Sequence, residues 1–290
     1  MGETAQYEQK ILFEKHQSDR EGEAVTPPAD YHLHTPLCRH AEGSPEQMVA
    51  AARAAGLVEM GISDHSPMRE AFDDWRMDWA EFPAYCEWVE RARAAGGASL
   101  PVRLGLEVDY LEGGEAWIEE LAAAAEFDYL IGSVHYLDES WAVDDPRLVD
   151  RIGALGVEET WDRYWALFTK AIRSGFFDFV GHPDLVKKFG HWPTGDLRRY
   201  YEPAIEALVE GQVAFEINTA GWHKDCAEAY PARGFLELAA EAGVGLVISS
   251  DAHRPGEVAR DFDRARRLAA ECGFQETLRF ERRAGRAVPL

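Results

Sequence analysis

Basic residues are scarce in this sequence relative to acidic ones. Lysine and arginine total 30 against 52 aspartate and glutamate residues, so the formal net charge is −22. Non-specific binding to nucleic acid or to a membrane needs a basic surface, and we therefore expect neither partner. An anionic substrate would have to be attracted by local cations, and bound metal ions would serve this purpose.

Paired cysteines and long apolar runs are also missing. The four cysteines form no Cys-x-x-Cys pair, which argues against a disulfide framework and favours a reducing cytoplasm. No apolar run approaches the roughly 20 residues of a membrane span, and no signal peptide opens the chain. Hydrophobic residues nevertheless make up 46% of the chain, which is enough for a sizeable core. We expect a cytoplasmic globular protein.

No internal repeat or linker divides the main part of the chain. Residues 1–27 are polar and charged, and either a short helix or disorder is compatible with their composition. We predict a polar N-terminal extension over residues 1–27, disordered and without chemistry, and a single domain over residues 28–290.

Short apolar runs alternate with amphipathic stretches from residue 29 onward. Strands are predicted at 29–34, 58–63, 103–108, 129–134, 179–181, 213–218 and 245–249. Helices are predicted at 45–56, 79–95, 115–125, 157–174, 196–210, 232–242 and 256–272. A helix after each strand implies parallel, right-handed βα units, whose sheet either stays open or closes into a barrel.

Histidines and carboxylates collect at the C-terminal ends of these strands or just past them. The residues in question are His32, His34, His40, Asp64, His65, Glu107, Asp109, His135, His182, Glu216, Asn218, Asp251 and His253. Each has an ordinary alternative, as a hydrogen-bonded polar residue, a loop cap or a buried ion pair. In a βα fold, however, the carboxyl ends of all strands meet on one face, so their joint occurrence predicts a metal site. Imidazole with carboxylate suits Zn²⁺, Mn²⁺ or Fe²⁺, and the number of donors suits two or three ions.

The motifs HLHTPLCRHA, ISDHS, GLEVDY, GSVHYL, GHPDLVKKFG, EINTAG and SSDAHRP resemble the polymerase-and-histidinol-phosphatase (PHP) family. Within it, the sequence is most similar to monofunctional bacterial histidinol-phosphatases. The resemblance runs from about Asp30 to the final helix. It implies an α/β fold, a distorted (β/α)7 TIM-like barrel with a trinuclear metal site at the C-terminal ends of the strands.

The resemblance also implies a ligand set for each ion. The nine ligands fall on His32, His34, His40, His65, Glu107, His135, His182, Asp251 and His253. One ion would take His32, His34, Glu107 and Asp251; Glu107 would bridge to a second ion with His135 and His182; and His40, His65 and His253 would hold the third. Glu107, Asp251 and His253 are the expected catalytic residues.

Three cations are candidates for binding substrate. Arg254 follows the ligand His253, Arg76 lies in the second βα loop, and Lys187 lies in the GHPDLVKKFG motif. Arginine binds a phosphate dianion through two parallel hydrogen bonds. The alternative is that Arg76 and Lys187 are solvated loop residues. Arg254 is the strongest candidate because it adjoins the site.

Three further features of the sequence lie outside the predicted ligand set and the candidate substrate-binding residues. Cys38, between two ligands, is either a thiolate ligand or a packing residue, and packing is favoured because the imidazoles complete the family pattern. Asp64 is expected to orient a neighbouring group rather than to bind metal. The arginine-rich C-terminal end (Arg279, Arg282, Arg283 and Arg286) is expected to be a solvated tail.

The resemblance implies hydrolysis of L-histidinol phosphate to L-histidinol and phosphate in histidine biosynthesis. A hydroxide that bridges two ions would attack phosphorus in line. Three alternatives stay open at this stage: a phosphatase of the same family acting on nucleotides or sugar phosphates, a PHP nuclease, and a binding module with a decayed centre. The oligomeric state is not indicated by the sequence.

Overall fold

The computed structural model describes residues 28–290, so the predicted extension over residues 1–27 lies outside the described part of the chain. The α-helices of the described part are α1 (Pro45–Ala54), α2 (Phe82–Gly96), α3 (Glu115–Ala122), α4 (Asp150–Leu155), α5 (Val157–Arg173), α6 (Arg198–Gly211), α7 (Arg233–Glu241) and α8 (Phe262–Cys272). Its strands are β1 (Ala29–Asp30), β2 (Glu59–Ile62), β3 (Val102–Leu104), β4 (Glu107–Asp109), β5 (Ile131–Ser133), β6 (Tyr136–Asp138), β7 (Trp141–Ala142), β8 (Phe179–Val180), β9 (Ala214–Asn218), β10 (Leu246–Ser249), β11 (Glu276–Glu281) and β12 (Ala284–Pro289).

Short 3₁₀ helices connect several of these elements. They span Pro36–Cys38, Trp79–Glu81, Gly97–Ser99, Pro146–Leu148, Leu185–Lys187, Thr219–His223 and Pro255–Glu257. Within residues 28–290, no helix is both long and apolar enough to cross a membrane.

Eight strands form two parallel sheets, which confirms the predicted α/β class. One sheet has the order β1-β2-β3 and the other the order β10-β9-β8-β5-β4. Single parallel bridges join the sheets at both ends, one between Leu33 and Ala252 and one between His65 and Glu107. The strands are therefore neighbours in chain order, an arrangement consistent with a distorted TIM-like barrel. Their hydrogen bonds do not form one continuous seven-stranded sheet.

The third predicted strand (103–108) is divided because it serves both sheets. Val102–Leu104 pairs with β2, whereas Glu107–Asp109 pairs with β5. The last predicted helix, 256–272, also differs, because it begins only at Phe262. Ala259 and Asp261 have φ angles of 56° and 62°, which an α-helix does not tolerate. The start of α1 is as predicted, with a capping box between Ser44 and Gln47.

Alternation along the strands separates an outer core from an inner one. In β9, Phe215 and Ile217 pack in the large core beneath the helices, and Ala214 belongs to a second, smaller core that also contains Val247 of β10. Successive residues of a strand point to opposite faces, so Glu216 lies on the same face as Ala214, one step nearer the C-terminal end. The inner face is thus apolar at one end of the sheet and polar at the other.

The inner core is built around the ring of Tyr129. A Cβ atom on Gly61 or Gly105 would overlap this ring, so glycine at these positions makes room for it. Phe179 stacks on Tyr129 with ring centroids 5.6 Å apart, and Phe280 stacks on Phe179 at 5.5 Å. These buried rings close the end of the sheet opposite to the polar residues.

The prediction of a solvated C-terminal tail is wrong. β11 and β12 form an antiparallel hairpin that carries Phe280 into the inner core, where it is 3% exposed. The side chain of Arg283 pairs with Asp178, and its backbone N–H donates to the carbonyl of Asp128 at 2.8 Å. Arg282 and Arg286 stay exposed, as expected for a tail. Leu278 and Phe280, on either side of Arg279, have the period-two spacing of a strand, but this signal is too short to predict a strand by itself.

Candidate metal centre

The nine predicted ligands converge at the polar end of the strands. The imidazole rings among them are close neighbours. The ring centroids lie 5.1 Å apart for His32 and His34, 4.0 Å for His34 and His253, and 4.6 Å for His253 and His40. On the other side of the site, the centroids of His65 and His135 are 5.4 Å apart and those of His135 and His182 are 4.8 Å apart. Residues from every predicted strand end except the sixth thus contribute to one cluster.

Glu107 occupies the middle of this cluster and is 1% exposed. Its Oε2 lies 2.7 Å from Nδ1 of His65, and its Oε1 lies 2.9 Å from Nε2 of His182. Oε1 also lies 3.4 Å from Nε2 of His32 and 3.6 Å from Nε2 of His135. A carboxylate with imidazoles facing both of its oxygens has the position of a bridge between two ions.

Asp251 forms a second acidic point of the cluster. Its Oδ1 lies 3.1 Å from Nε2 of His34 and 3.9 Å from Nε2 of His32. The residue has a φ angle of 54°, in the left-handed region that aspartate adopts more readily than most residues. Asp251 adopts this conformation just past the end of β10.

Five histidines are held from behind through Nδ1. His32 faces Glu216 at 3.0 Å, His34 faces Asp64 at 3.3 Å, and His135 faces Asp109 at 2.8 Å. Backbone carbonyls take the same role for His40 and His253. Oxygen acceptors of this kind fix the proton on Nδ1, so that Nε2 of a neutral ring presents a lone pair to the site.

Glu216 and Asp109 had no role assigned from the sequence. Both were visible there as acidic residues at strand ends. The only available signal was their position on the same strand face as the apolar inner residues, where a carboxylate needs a partner.

Within residues 28–290, several buried nitrogen and oxygen atoms of the site make no hydrogen bond of proper geometry, although carboxylate oxygens lie close to some of them. They are Nε2 of His32, His34 and His253, Nδ1 of His65 and His182, and Oε2 of Glu107. Buried polar groups are almost always paired, so a cluster of such atoms indicates a ligand. Sets such as His32, His34 and Asp251, or His32, Glu107 and His182, bring their ligand atoms within 4.8 Å of one another. The residues present therefore fit divalent metal ions.

The carboxylates of the site are ionised. Burial by itself would raise the pKa of Glu107, but the imidazoles of His65 and His32 hold it well below its usual value. Against the same effect of burial, His32 and His34 hold the pKa of Asp251 well below its usual value. Buried carboxylates in this state attract cations.

The imidazoles fall into two electrostatic groups. Burial and the neighbouring His34 keep the pKa values of His65 and His253 well below the usual one, which favours the neutral form of both rings. Burial also opposes the charge of His34, yet Asp251 and Asp64 raise its pKa to about 9. Protons and metal ions compete for such nitrogen atoms, so metal binding releases protons.

Cys38 and Asp64 lie directly behind the ligands. Burial, with the charge of Asp64, raises the pKa of the Cys38 thiol, which favours packing over a thiolate ligand. Its sulfur is nevertheless grouped within 4.8 Å of ligand atoms of His40 and His253. Asp64 contacts Nδ1 of His34 at 3.3 Å and accepts from the backbone of His65 at 2.9 Å, a position suited to orienting both rings.

A pocket of about 510 Å³ opens over the cluster. The wall includes Trp75 and Tyr230, together with the carboxylates Asp144 and Glu257. Five cations line it: Arg147, Lys188, Lys224, Arg254 and Arg260. Asp144, Asp145 and Glu257 pair with four of these cations, so the positive charge for an anionic ligand would come chiefly from bound metal ions.

The three cations selected from the sequence lie in different surroundings. Arg254 lines the pocket, with Nε 2.8 Å from Glu257. Arg76 is buried behind Trp75, and Lys187 is fully buried with its ammonium 3.1 Å from Asp184. Neither of them is among the pocket-lining residues of the described chain.

Comparison with known proteins identifies similar chains along most of this one. A family model described as "PHP domain" matches residues 30–220. A probable histidinol-phosphatase of Deinococcus radiodurans is 42% identical over 230 residues, which are 79% of this chain and 87% of that protein. The histidinol-phosphatase of Lactococcus lactis is 22% identical over 258 residues, covering 87% of this chain and 93% of that protein.

The fold is also similar to that of a solved structure. A crystal structure of histidinol phosphate phosphatase from Lactococcus lactis, complexed with zinc, L-histidinol and phosphate, superposes with a TM-score of 0.77. The match covers 90% of this chain and 99% of that chain at 22% identity. The likeness establishes a common fold.

Proposed function

This chain belongs to the PHP domain family, and from that premise we propose that it is a metal-dependent phosphomonoesterase that hydrolyses L-histidinol phosphate to L-histidinol and phosphate. The observation that carries the proposal is the convergence of nine imidazole and carboxylate side chains, seven of which line one pocket and several of which have buried atoms that make no hydrogen bond of proper geometry among the described residues. The reaction would serve histidine biosynthesis.

The relatives support the choice of substrate. The Deinococcus protein, 42% identical, is a probable histidinol-phosphatase, and the Lactococcus enzyme has been seen with L-histidinol and phosphate. Zinc in that structure supports zinc as one of the metals here, with Mn²⁺ and Fe²⁺ as the alternatives.

We infer two or three ions, distributed over the ligands as follows. One ion would be held by His32, His34, Glu107 and Asp251, a second by Glu107, His135 and His182, and a third, where present, by His40, His65 and His253. When bound, such ions supply Lewis acidity to the phosphoryl oxygens and lower the pKa of water.

The chain's own residues hold and enclose the substrate. Arg254 and Lys188, both in the pocket wall, bind phosphate oxygens and complement their charge. The buried strand ends keep bulk water away from the reacting group, and the low local dielectric strengthens each of these contacts. Glu257 orients Arg254 through a 2.8 Å ion pair.

Phosphate release tests the substrate. Histidinol phosphate would be compared with an aryl phosphate, a nucleoside monophosphate and single-stranded DNA, using protein loaded with Zn²⁺ or Mn²⁺. We expect kcat/KM for histidinol phosphate to exceed that for the aryl ester by roughly two orders of magnitude. Equal values would defeat the substrate assignment, and preferential cleavage of DNA would support the nuclease alternative.

Elemental analysis tests the metal centre separately. We expect two to three ions per chain in wild type, fewer in His135→Ala, and an unchanged content in His191→Gln, a histidine outside the site. A wild-type protein with no bound transition metal and no metal-stimulated activity would contradict the proposal. That result would support the alternative of a binding module with a decayed centre.

A further inference from the structure

The guanidinium of Arg76 is enclosed by protein and uses all three of its nitrogen atoms. Nε donates to Oδ2 of Asp73 at 2.8 Å, and Nη2 donates to Oδ2 of Asp109 at 2.9 Å. Nη1 donates to the backbone carbonyl of Ser66 at 2.8 Å. The side chain is 4% exposed, so its charge is directed at protein groups.

Asp109 connects this guanidinium to a ligand of the metal centre. Its Oδ1 lies 2.8 Å from Nδ1 of His135 and accepts from the backbone N–H of the same residue at 3.1 Å. Both oxygens of Asp109 are therefore engaged, one by His135 and the other by Arg76. The ring of His135 is held with Nε2 towards Glu107, 3.6 Å away.

The same arginine supports one wall of the pocket. Its guanidinium carbon lies 4.2 Å from the ring centroid of Trp75, and Trp75 stacks on Tyr136 with an interplanar angle of 9°. Trp75 also contacts His65, with ring centroids 4.6 Å apart. Tyr136 donates to Oδ2 of Asp73 at 2.6 Å, the oxygen that also accepts from Arg76.

An arginine suits this position better than any other cation. Two of the three acceptors, Ser66 and Asp73, lie in the loop of Arg76 itself, and the third, Asp109, ends β4. Each acceptor is reached by a different nitrogen of one rigid planar group. A lysine would keep the charge but would concentrate its donors on a single atom. It would leave at least one of the two buried carboxylates without its cationic partner.

We propose that Arg76 is a positioning residue for the metal centre, which sets the orientation of His135 through Asp109 and of the pocket wall beside His65 through Trp75. The proposal rests on the metal centre of the proposed function and is independent of which phosphate ester is hydrolysed. It differs from the direct contact with substrate that the sequence suggested for this residue.

Metal binding by Arg76→Lys tests the proposal. Metal-free protein would be titrated with Zn²⁺, and the metal retained after gel filtration would be measured by elemental analysis. We expect an affinity about 10- to 100-fold weaker at one site, as for loss of other partners behind metal-bound histidines. Arg69→Lys is the matched control, because Arg69 lies in the same loop, is 54% exposed and pairs with Glu120.

Kinetics separate positioning from substrate contact. In Arg76→Lys, kcat should fall at limiting metal and recover with excess Zn²⁺, while KM and inhibition by inorganic phosphate change less than twofold. Unchanged metal affinity with a raised KM would overturn the proposal in favour of direct contact. Unchanged metal affinity with only a lower melting temperature would overturn it in favour of a purely structural role.

Asp109→Asn provides a second measurement if Arg76→Lys folds poorly. The amide keeps the size of the side chain but lacks the charge that holds His135, so the same loss of Zn²⁺ affinity is expected. Normal Zn²⁺ affinity in this variant would overturn the proposal. Failure of the proposed function would look different, since wild type itself would then lack bound metal or phosphatase activity.

Discussion

Nδ1 of His32 lies 3.0 Å from both carboxylate oxygens of Glu216. This contact joins the first predicted ligand to a residue 184 positions later in the chain. Oε1 of Glu216 also accepts from the backbone N–H of His182 at 2.8 Å, so one buried carboxylate contacts two of the predicted ligands. The orientation of the His32 ring therefore depends on a residue of a strand distant in sequence, β9.

Glu216→Gln should weaken metal binding without removing a ligand. An amide presents a neutral oxygen to His32 and polarises the ring less, so we expect Zn²⁺ affinity to fall about 10- to 100-fold. Metal titration of the metal-free protein measures this. Glu210→Gln, with a side chain 69% exposed on α6, is the control and should bind metal normally. Equal affinities in the two variants would contradict the role given to Glu216.

Glu107→Gln should abolish turnover. The carboxylate faces imidazoles on both oxygens, and a neutral amide cannot bridge two cations. Phosphate release from histidinol phosphate and elemental analysis measure the effect, and we expect both activity and metal content to drop. The control is Glu112→Gln, since Glu112 is 68% exposed and pairs with Lys170. Wild-type activity in Glu107→Gln would exclude the bridging role.

Arg254→Ala should affect substrate binding and leave stability unchanged. The side chain lines the pocket and is 61% exposed, so its removal creates no buried cavity. Loss of one charged hydrogen bond to phosphate corresponds to about 1.5–3 kcal/mol, or roughly a 10- to 100-fold fall in kcat/KM. Steady-state kinetics check this against Arg91→Ala, an exposed arginine on α2. A value of kcat/KM equal to that of wild type would remove Arg254 from the phosphate site.

Lys187→Met should mainly affect stability and Lys188→Met mainly substrate binding, although the two lysines are adjacent in sequence. Lys187 is fully buried, and its ammonium lies 3.1 Å from Asp184 and 2.8 Å from the carbonyl of Ala229. Its loss leaves a buried carboxylate unpaired, and the free energy of unfolding should fall by about 3–5 kcal/mol. Lys188 lines the pocket, so its loss should mainly raise KM.

Denaturant unfolding and steady-state kinetics on the same two variants distinguish these effects. A stable Lys187→Met protein with a raised KM would restore the direct substrate role suggested for Lys187 from the sequence.

Phe280→Ala should destabilise the fold while sparing the chemistry. The ring fills the end of the inner core opposite to the metal centre, and a cavity there costs about 3–5 kcal/mol. Thermal unfolding measures the loss, and Arg286→Ala, exposed on the same hairpin, is the control. A free energy of unfolding equal to that of wild type would show that the hairpin does not close the inner core.

Much of the fold could be predicted because its signals are local. The apolar runs that form β2, β9 and β10 and the capping box of α1 are properties of a few neighbouring residues. The C-terminal hairpin was missed because its stability depends on Phe280 reaching rings that lie far away in the sequence. The division of the third strand was missed for a related reason, since it follows from pairing with two different sheets.

The sequence by itself determined which residues gather at the site. His32, Glu107 and Asp251 lie near the C-terminal ends of the predicted strands, and parallel strands bring these ends to one face whatever the details of packing. Only the tertiary structure decided what each side chain contacts there. Lys187 and Lys188 are neighbours in sequence, yet one is buried against Asp184 and the other lines the pocket. Such partners come from distant segments of the chain, and their distances depend on how the whole core packs.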